Sequence, residues 1–454
     1  MEHVIAAGRL RGEVMFRWSV SRKNTVARMN VALATGAALL CMVTAAQSGT
    51  LEEELKFLLE THPQLDVGAQ GVKTAEDGVD AAFSGFLPKV SINGDAGWEY
   101  TTNDTLTEAY DTDRFRAGIE ARQNLFQGFR TTAEIATAES QKEIAKLDLS
   151  FVEQQLLFEG VIAFLNVERF GFLTLLAQEN EKTLKTQLRL EDERVQRGAG
   201  IEVDVLQAKS RLQRAIERRV GIEGSRREAG SRYLQVFGKQ ADESGLFEAV
   251  PPLGKLPASL KDSLARALDT NLQIRSSNIQ TRVAEAQKEQ AASGYYPSVD
   301  AVARYDWEKD VDGSEGTEDS FFGGVELNWE IFSGFLTDAQ VGQASARHNS
   351  SLASLRYTRQ KVEEEVRVAW QSLETAQERE RLLENAVNIA AEVFVARQKL
   401  RDGGKETALN VLDAENEFYA ARIAQVGASY EARSAVYKLL LAIGELNPTT
   451  LGLM

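Results

Sequence analysis

The stretch QNLFQGFRTTAE at 123–134 returns as NWEIFSGFLTDAQ at 328–340, and each copy joins an alternating run to a long polar helical stretch. LFQGFRTTA (125–133) aligns with IFSGFLTDA (331–339), GAGIEVDVLQA (198–208) with GKETALNVLDA (404–414), and YLQVFG (233–238) with LLLAIG (439–444). All three pairs share the offset of 206 residues that separates Leu125 from Ile331. Upstream, SGFLPKV (84–90) matches SGYYPSV (293–299) at an offset of 209. Collinear matches at fixed spacing mean that one plan is used twice, so any fold must accommodate two equivalent units.

Each unit carries two runs of period-two alternation. In the first, Val90, Ile92, Ala96, Trp98 and Tyr100 share one face, with Ser91, Asn93, Asp95 and Glu99 on the other. Phe115, Ala117, Ile119 and Ala121 then alternate with Arg114, Arg116, Glu120 and Arg122. In the second unit, Val299, Ala301, Ala303, Tyr305 and Trp307 oppose Asp300, Arg304, Asp306 and Glu308, followed by Val325, Leu327, Trp329 and Ile331 against Glu326, Asn328 and Glu330. Such runs are strands with one apolar face. A water-soluble sheet resting on a core has this pattern. So does a membrane barrel, which suits better the near ten-residue strands, terminal aromatics and highly charged polar faces. The lipid-facing aromatics would then be Trp98, Tyr100, Phe115, Tyr305, Trp307 and Trp329, and the acidic connections 101–113 and 308–319 would be external loops. Four strands cannot close a barrel, and hydrocarbon does not tolerate an open edge. Strands must then be pooled between chains, eight from two copies or twelve from three.

Between Thr131 and Gln196 there is no proline, and Gly160 and Gly171 are the only glycines. A helix of that span is roughly 100 Å long at ~1.5 Å per residue. Ile144, Phe151, Phe158, Leu165 and Phe172 recur every seven residues; Leu352, Leu355, Val362, Val366, Ala369, Leu373 and Ala376 keep a three-four rhythm. Both patterns predict coiled-coil packing. The long helices end at the glycine turns RGAG (197–200) and DGGK (402–405), and helices over about 203–238 and 408–443 return. Shorter helices, 64–86 and 271–292, precede the first strand of each unit and stop before Pro88 and Pro297. A short and a returning helix together nearly equal the long one, and could stack end to end beside it. At the repeated junction, Gly128 and Gly334 permit a sharp exit from the strand. Thr131 with Glu134 and Thr337 with Gln340 have capping-box spacing for helix starts.

The rest of the chain narrows the function. A net charge of −15 disfavours a nucleic-acid binder. Arg17, Arg22, Lys23 and Arg28 precede the apolar run Val31–Val43 and small residues Thr44–Ala46, which reads as an export signal. Cys41 lies inside that run behind Leu39 and Leu40, a poor context for lipidation, so its removal with the signal is expected. Beyond it, Leu156–Leu176 is broken by Glu159, Glu168 and Arg169, and no transmembrane helix is expected. His3, His62 and His348 have no ligand spacing, GGKET (403–407) has Lys399 where a phosphate loop needs glycine, and Glu363–Glu365 sits in a helical charge run. The expectation is no catalytic residue, cofactor or metal. The turns differ: Glu202 and Asp204 follow the first, and Asp402, Glu406 and Asp413 surround the second. These acids serve as helix-end caps in one chain, or as carboxylate rings if several chains gather them around an axis.

Taken together, SGFLPKV/SGYYPSV, LFQGFRTTAEI/IFSGFLTDAQV and the turns followed by DVLQA/NVLDA resemble the TolC-like outer-membrane efflux protein family over about 50–446. The resemblance implies an α+β membrane protein, an internally duplicated chain forming a homotrimer. Its twelve-stranded outer-membrane β-barrel, four strands per chain, would continue into a long antiparallel α-helical coiled-coil barrel in the periplasm of a Gram-negative bacterium. The implied layout is a signal region at 1–46, a first repeat at 50–238, an equatorial linker at 239–258 bearing Pro251, Pro252 and Pro257, a second repeat at 259–446 and a tail at 447–454. Implied partners are outer-membrane lipid, a periplasmic adaptor (membrane fusion) protein and an inner-membrane transporter of ABC or RND type. The implied entrance is the two turns, with Gly198, Glu202, Asp204, Asp402, Gly404, Glu406, Asn410 and Asp413; Asn410 departs from the aspartate common in the family motif. The absence of a lipidation context and the NLFQGFRT form make the chain more similar to type I secretion components than to drug-efflux ones. A periplasmic coiled-coil adaptor or scaffold without its own pore is the alternative, and it leaves the aromatic strands unexplained.

Overall fold

The computed structural model describes residues 50–453 except 103–109, 242–248 and 313. The signal region with Cys41, the middle of the 101–113 connection and part of the 239–258 linker lie outside the described residues. The first unit runs α1 (Leu51–Thr61), α2 (Pro63–Phe83), β1 (Lys89–Thr101), β2 (Tyr110–Gln127), α3 (Arg130–Gln196) and α4 (Glu202–Phe237). The second runs α5 (Leu260–Thr270), α6 (Leu272–Ala292), β3 (Ser298–Val311), β4 (Ser314–Asn328), α7 (Leu336–Asp402) and α8 (Ala408–Ile443). Corresponding helices match residue for residue in length: 11 in α1 and α5, 21 in α2 and α6, 67 in α3 and α7, 36 in α4 and α8. The duplication is therefore structural, and the three-residue difference falls within the strand pairs.

Helices α1 and α5 sit before the short helices expected from sequence and are separated from them by capping residues. The Thr50 hydroxyl and the Glu53 carboxylate close a reciprocal cap on α1. His62 Nδ1 accepts from Gln64 N–H at 3.2 Å to start α2, a structural role for that histidine. Asn271 Oδ1 accepts from the Gln273 and Ile274 amides to start α6. The stop before each proline is observed, with Leu87 and Tyr296 extended.

The strands form one antiparallel sheet in the order β1-β2-β3-β4. Within one chain β1 and β4 are edges. β2 pairs with β3 down to Gln127 opposite Ser298, whereas β4 stops at Asn328, also opposite Ser298. Trp329 and Ile331, expected in the strand, thus lie beyond its end.

The helices continue this strip. α3 packs on α2 and α4 toward one side and on α6 and α8 toward the other, while α7 packs on α5, α6 and α8. α8 stacks end to end on α6, as expected from the lengths: Asn271 Nδ2 donates to Ala442 O at 3.0 Å and Thr270 Oγ1 to Ile443 O at 2.9 Å. The positive start of α6 meets the negative end of α8, a favourable dipole alignment. The main core gathers at mid-length, where Leu55, Leu58, Val161, Phe164, Tyr233, Phe237, Val366, Tyr437 and Leu440 are buried together.

The coiled-coil seams differ between repeats. On α7 every expected position except Leu352 is buried. On α3 the seven-residue series carries the seam only in part: Leu165 is buried, Ile144, Phe151 and Phe158 are half-buried against the core and Phe172 is exposed, while Leu147, Gln154, Leu157, Val161, Phe164 and Glu168 are buried as well. α7 has neighbours on one side and shows one seam; α3 has neighbours on both sides, and two overlapping seams blur its period. Its apolar middle is long enough to cross a membrane by composition but is mostly buried inside the molecule.

Two glycines of α3 separate packing from propensity. A Cβ on Gly160 would lie 2.7 Å from Leu58 Cδ2 and 2.9 Å from Leu55 Cδ2, whereas one on Gly171 meets nothing within 4 Å. Gly160→Val should destabilise the protein by about 1–3 kcal/mol through overpacking. Gly171→Ala should be neutral or stabilise by up to about 1 kcal/mol. Thermal melting followed by far-ultraviolet circular dichroism checks both; equal effects would remove the packing argument.

Candidate functional site

The sheet has an inverted burial pattern. On β2 the apolar Phe115, Ala117 and Ile119 are exposed, while the charged Arg114, Arg116 and Glu120 between them are half-buried. On β1, Val90, Ile92 and Trp98 are 64%, 82% and 65% exposed. Among the described residues, the short turn Ser84–Phe86 packs on β2 and no long helix packs over this face. The register keeps it continuous across the sheet: Ile92 lies opposite Ile119, Ile119 opposite Tyr305 and Tyr305 opposite Phe321. A contiguous apolar face without a core is not a water-soluble design; its solvent is lipid.

The opposite face is a lattice of ions. Arg114 holds Asp95 at 2.7 Å and Glu99 at 3.2 Å, and Arg116 holds Glu308 and Asp312, each at 3.3 Å. Arg122 reaches Glu120 at 3.2 Å, Asp300 at 3.4 Å and Glu326 at 3.0 Å, and Arg304 holds Glu120 at 2.9 Å. Carboxylates outnumber arginines in this lattice, so the wetted face is net negative.

The six predicted aromatics fall at two levels. Trp98 stacks on Tyr100 near the loop end of β1, and Phe115 and Trp307 lie at that end of β2 and β3. Tyr305 donates to Asp319 at 2.9 Å, and Trp329, past the end of β4, donates to Tyr295 O at 3.2 Å at the helix end. From Phe115 to Phe126 a strand tilted ~40° climbs roughly 28 Å, close to the ~25 Å apolar band of an outer-membrane barrel.

The strand-to-helix junction is built differently from the sequence expectation. Gly128 and Phe129 are both left-handed (φ 60 and 67), as are Gly334 and Phe335 (φ 64 and 66). Phe129 and Phe335 are the residues that cap α3 and α7, and neither helix has a side-chain cap from that residue. The expected capping boxes are therefore absent: Thr131 and Thr337 lie inside the first turn, and Glu134 instead accepts from Gln290 Nε2 at 2.9 Å. A left-handed Phe costs about 1–2 kcal/mol. Ring packing offsets it, with Phe129 edge-on to Phe126 (5.5 Å) and Tyr296 (6.2 Å), and Phe335 edge-on to Phe332 (5.5 Å). Thr131 and Thr337 have another task. Their methyl groups sit against Gly85 and Gly294, where an added Cβ would come within 2.8 and 3.1 Å. This docks the turn that precedes each hairpin on the helix that follows it.

At the far end, both turns are Schellman motifs. Gly198 N–H and Gly404 N–H bond to Val195 O and Arg401 O, and the next amides bond to Arg194 O and Leu400 O. Gly198 and Gly404 carry the left-handed residue of each (φ 74 and 71). Glu202 and Asp204 occupy the first turn of α4, at its positive end. Thr407 caps α8 by accepting from Asn410 N–H, while Glu406 accepts from the Thr407 amide at 3.0 Å and from Asn410 Nδ2 at 2.5 Å. These hydrogen bonds hold the Glu406 carboxyl below its usual range. Asp402 is exposed at the end of α7. Asp413 accepts from Arg211 Nη2 of α4 at 2.6 Å. The two hairpins are tied near the tips by Arg211–Asp413 and by a nearly buried pair, Arg401 of α7 with Glu191 of α3, and further back by Arg422 of α8 with Glu179 of α3 at 3.0 Å.

Glu415, two residues beyond Asp413, is fully buried. One oxygen accepts from Gln187 Nε2 of α3, and Oε1 has no hydrogen-bond partner. Burial pushes its carboxyl up to about 7, against the pull of the Gln187 bond and the Arg211 charge. Sequence reading missed Glu415, Glu191 and Arg211. A signal existed for Glu415: it occupies the apolar rhythm Ala408, Leu412, Glu415, Tyr419, where a carboxylate does not belong.

A lipid-facing sheet that runs directly into long antiparallel helices, with a charged inner face, is the form of an outer-membrane channel protomer. A family model for outer membrane efflux protein matches residues 55–238 and 264–445, one match per repeat, and the chain belongs to that family. It is 27% identical over 414 residues to the outer membrane efflux protein BepC of Brucella suis, covering 90% of this chain and 88% of that one. It is 24% identical to the outer membrane protein TolC of Vibrio cholerae (91% and 95% covered), and 23% identical to the alkaline protease secretion protein AprF of Pseudomonas aeruginosa (92% and 89%). Among solved structures, the outer-membrane channel OprN superposes with a TM-score of 0.76 at 21% identity, covering 87% and 90%. VceC of Vibrio cholerae does so at 0.74 and 18%, covering 87% and 96%. The protein is an outer-membrane channel of a Gram-negative bacterium and not an enzyme.

Glu415 gives the tunnel helices a pH dependence of definite sign. Below its ordinary value of 4.5 the carboxyl is neutral whether packed or loosened, and between there and about 7 only the loosened form ionises. Packing of α8 on α3 should weaken as pH rises through that window, by up to about 3 kcal/mol, and stay level above it. Amide hydrogen exchange over 408–419 should be slower at pH 5 than at pH 8 after correction for intrinsic rates, and Glu415→Gln should flatten the difference. An unchanged pH dependence in that variant would show that another group is responsible.

Proposed function

We propose that three copies of this chain close a twelve-stranded barrel in the outer membrane and continue as one helical tunnel through the periplasm. The channel acts as the exit duct of a tripartite export system. The observation that carries this reading is the uncovered apolar face of the sheet, backed by the ion lattice. Such a sheet must be in lipid, and in lipid its free edges at β1 and β4 must be paired. An adaptor or a soluble scaffold has no use for that face. Conduction is passive through a water-filled lumen lined by the charged strand face and polar helix faces. An inner-membrane transporter of ABC or RND type supplies the energy, and a periplasmic adaptor joins it to the tunnel entrance.

The entrance is the pair of hairpin tips, with Gly198, Glu202, Asp204, Asp402, Gly404, Glu406, Asn410 and Asp413. Its closure depends on the ties between hairpins, Arg211–Asp413 and Glu191–Arg401. Type I protein secretion is favoured over drug efflux: the chain's likeness to AprF, named for secretion of a protease, supports this, as does the sequence context of Cys41. The likeness to BepC, named an efflux protein, favours the second reading. Co-purification with an adaptor and an identified transporter separates them.

The protein should fractionate with outer membrane and run as a heat-sensitive trimer; a soluble periplasmic monomer would end the barrel reading. In planar bilayers Asp413→Ala or Arg211→Ala should raise single-channel conductance, and the exchange Arg211→Asp with Asp413→Arg should return it toward the starting value. Glu191→Gln should open the channel more, because an unpaired buried guanidinium costs about 3–5 kcal/mol against at most ~1 for an exposed pair. Conductance indifferent to all of these would remove the entrance role. The reversal potential in a potassium chloride gradient should show cation preference, as expected for a net negative lumen.

A further inference from the structure

A cavity of about 270 Å³ lies near the tips, between α4 and α8 and over α3. Its floor is the small apolar cluster of Leu184, Ala215 and Leu412. Its rim is basic, with Arg211, Arg214 and Arg218 spaced to share one face of α4. Against these three guanidinium groups the lining supplies one carboxylate, Asp413, which Arg211 already holds. Arg214 and Arg218 have no ion pair or hydrogen bond with any other described residue. Glu181 of α3, beside the cavity in sequence, is occupied by Arg219 and Lys185. In a chain with a net charge of −15, this is a local excess of positive charge without a partner.

A second observation points into the same space. Asn180 of α3 is only 6% exposed, lines the cavity and makes no hydrogen bond with another described residue. Buried amides are ordinarily matched, so an unmatched one facing a basic cavity is a donor held ready for a ligand. The duplication shows that the fold does not demand these residues. At the offset of 206, Asn180, Arg214 and Arg218 correspond to Ala386, Ala420 and Ala424, and Arg211 to Glu417. The second repeat thus builds the same helix pair with neither the amide nor the arginines.

We propose that this cavity binds a small phosphate-type oxyanion, inorganic phosphate or pyrophosphate. Guanidinium forks match phosphate oxygens two at a time, the Asn180 amide adds a neutral donor, and the apolar floor strengthens both by lowering the local dielectric. From Arg211 to Arg218 the row rises roughly 10 Å along α4, so the two ends of a pyrophosphate can meet different guanidinium groups. Chloride has neither the charge nor the oxygens to do this. Resting on the reading of the tips as the tunnel entrance, the site also acts on opening. A bound oxyanion draws Arg211 away from Asp413, a partly exposed pair of low individual strength, and loosens one tie between the hairpins.

The test titrates full-length protein in detergent with sodium pyrophosphate, and separately with inorganic phosphate, by isothermal titration calorimetry at constant ionic strength without divalent cations. Saturable binding of one ion per chain is expected, and none of chloride. Arg214→Ala with Arg218→Ala, or Asn180→Ala, installs the residues that the second repeat already uses, so each variant should keep the parent's circular dichroism. The arginine double variant should bind at least about tenfold more weakly, as expected for losing charged hydrogen bonds. No saturable heat, equal saturable binding of chloride, or equal binding by the double variant and the parent overturns the site. In planar bilayers, pyrophosphate on the side of the tips should raise the parent's conductance and leave that of the double variant where it stood before addition. Binding without that rise overturns the link to the Arg211–Asp413 tie. A protein that binds pyrophosphate but forms no channel overturns the entrance reading and leaves the site standing.

Discussion

Unpaired backbone in hydrocarbon is the constraint on which the architecture depends. A sheet edge exposed to water costs little, because water satisfies it; the same edge in a bilayer leaves a row of N–H and C=O groups without partners at several kilocalories per mole each. β1 and β4 are such edges. A chain with four strands is therefore incomplete by construction, and no rearrangement within the chain repairs it. The incompleteness runs along the whole molecule, because α2, α4 and α7 continue the same strip with open sides. The edges that need pairing in the membrane and the open helix sides beyond it belong to the same strip.

The junction between the two materials follows from this. A strand in lipid is satisfied by its neighbours, and a helix by itself. The chain must change from one mode to the other within a few residues at the membrane boundary. Two successive left-handed residues achieve the turn, Gly128–Phe129 and Gly334–Phe335. The Phe carbonyls already accept the first helical bonds, from Ala133 and Ala339. The rings pack at the junction, Phe129 on Phe126 and Tyr296 and Phe335 on Phe332, which offsets the strain of a bulky residue where Asn or Gly would be less strained.

Much of this was legible in the sequence because duplication removes ambiguity. A single alternating run or a single Gly-Phe pair is weak, but the same elements at a fixed offset define each other. The strands, the long helices, the glycine turns and the opposed faces were all readable. What was not readable depends on neighbours. The α3 seam was read only in part because a helix flanked on both sides has no single period, whereas α7, flanked on one, showed its seam plainly. The capping boxes at Thr131 and Thr337 failed because a pair of left-handed residues starts those helices, with Ser333 Oγ accepting from the Thr337 amide at 3.4 Å in the second, and the Thr methyls pack on Gly85 and Gly294. At the tips, Asp413 was visible by type but its partner Arg211 lies far away in sequence, and both members of the Glu191–Arg401 pair escaped notice for the same reason.

The tips also show why a stable tunnel can have a movable end. At mid-length the helices share a continuous apolar core, so separating them would expose Phe164, Tyr437 and Leu440 together. Near the tips that core dwindles to Leu184, Ala215 and Leu412. What replaces it is polar: one exposed ion pair, one nearly buried ion pair and Glu415 with an oxygen left unsatisfied. Apolar packing over a long seam is cooperative and insensitive to small chemical changes, whereas a few polar ties are individually strong, directional and easily exchanged for water. The helix pair is thus tied by a few polar contacts at the tip end and by a continuous apolar seam at mid-length, where buried polar groups such as Gln154 and Glu168 are embedded in the larger core. Separating the helices at the tips therefore exposes far less apolar surface than separating them at mid-length.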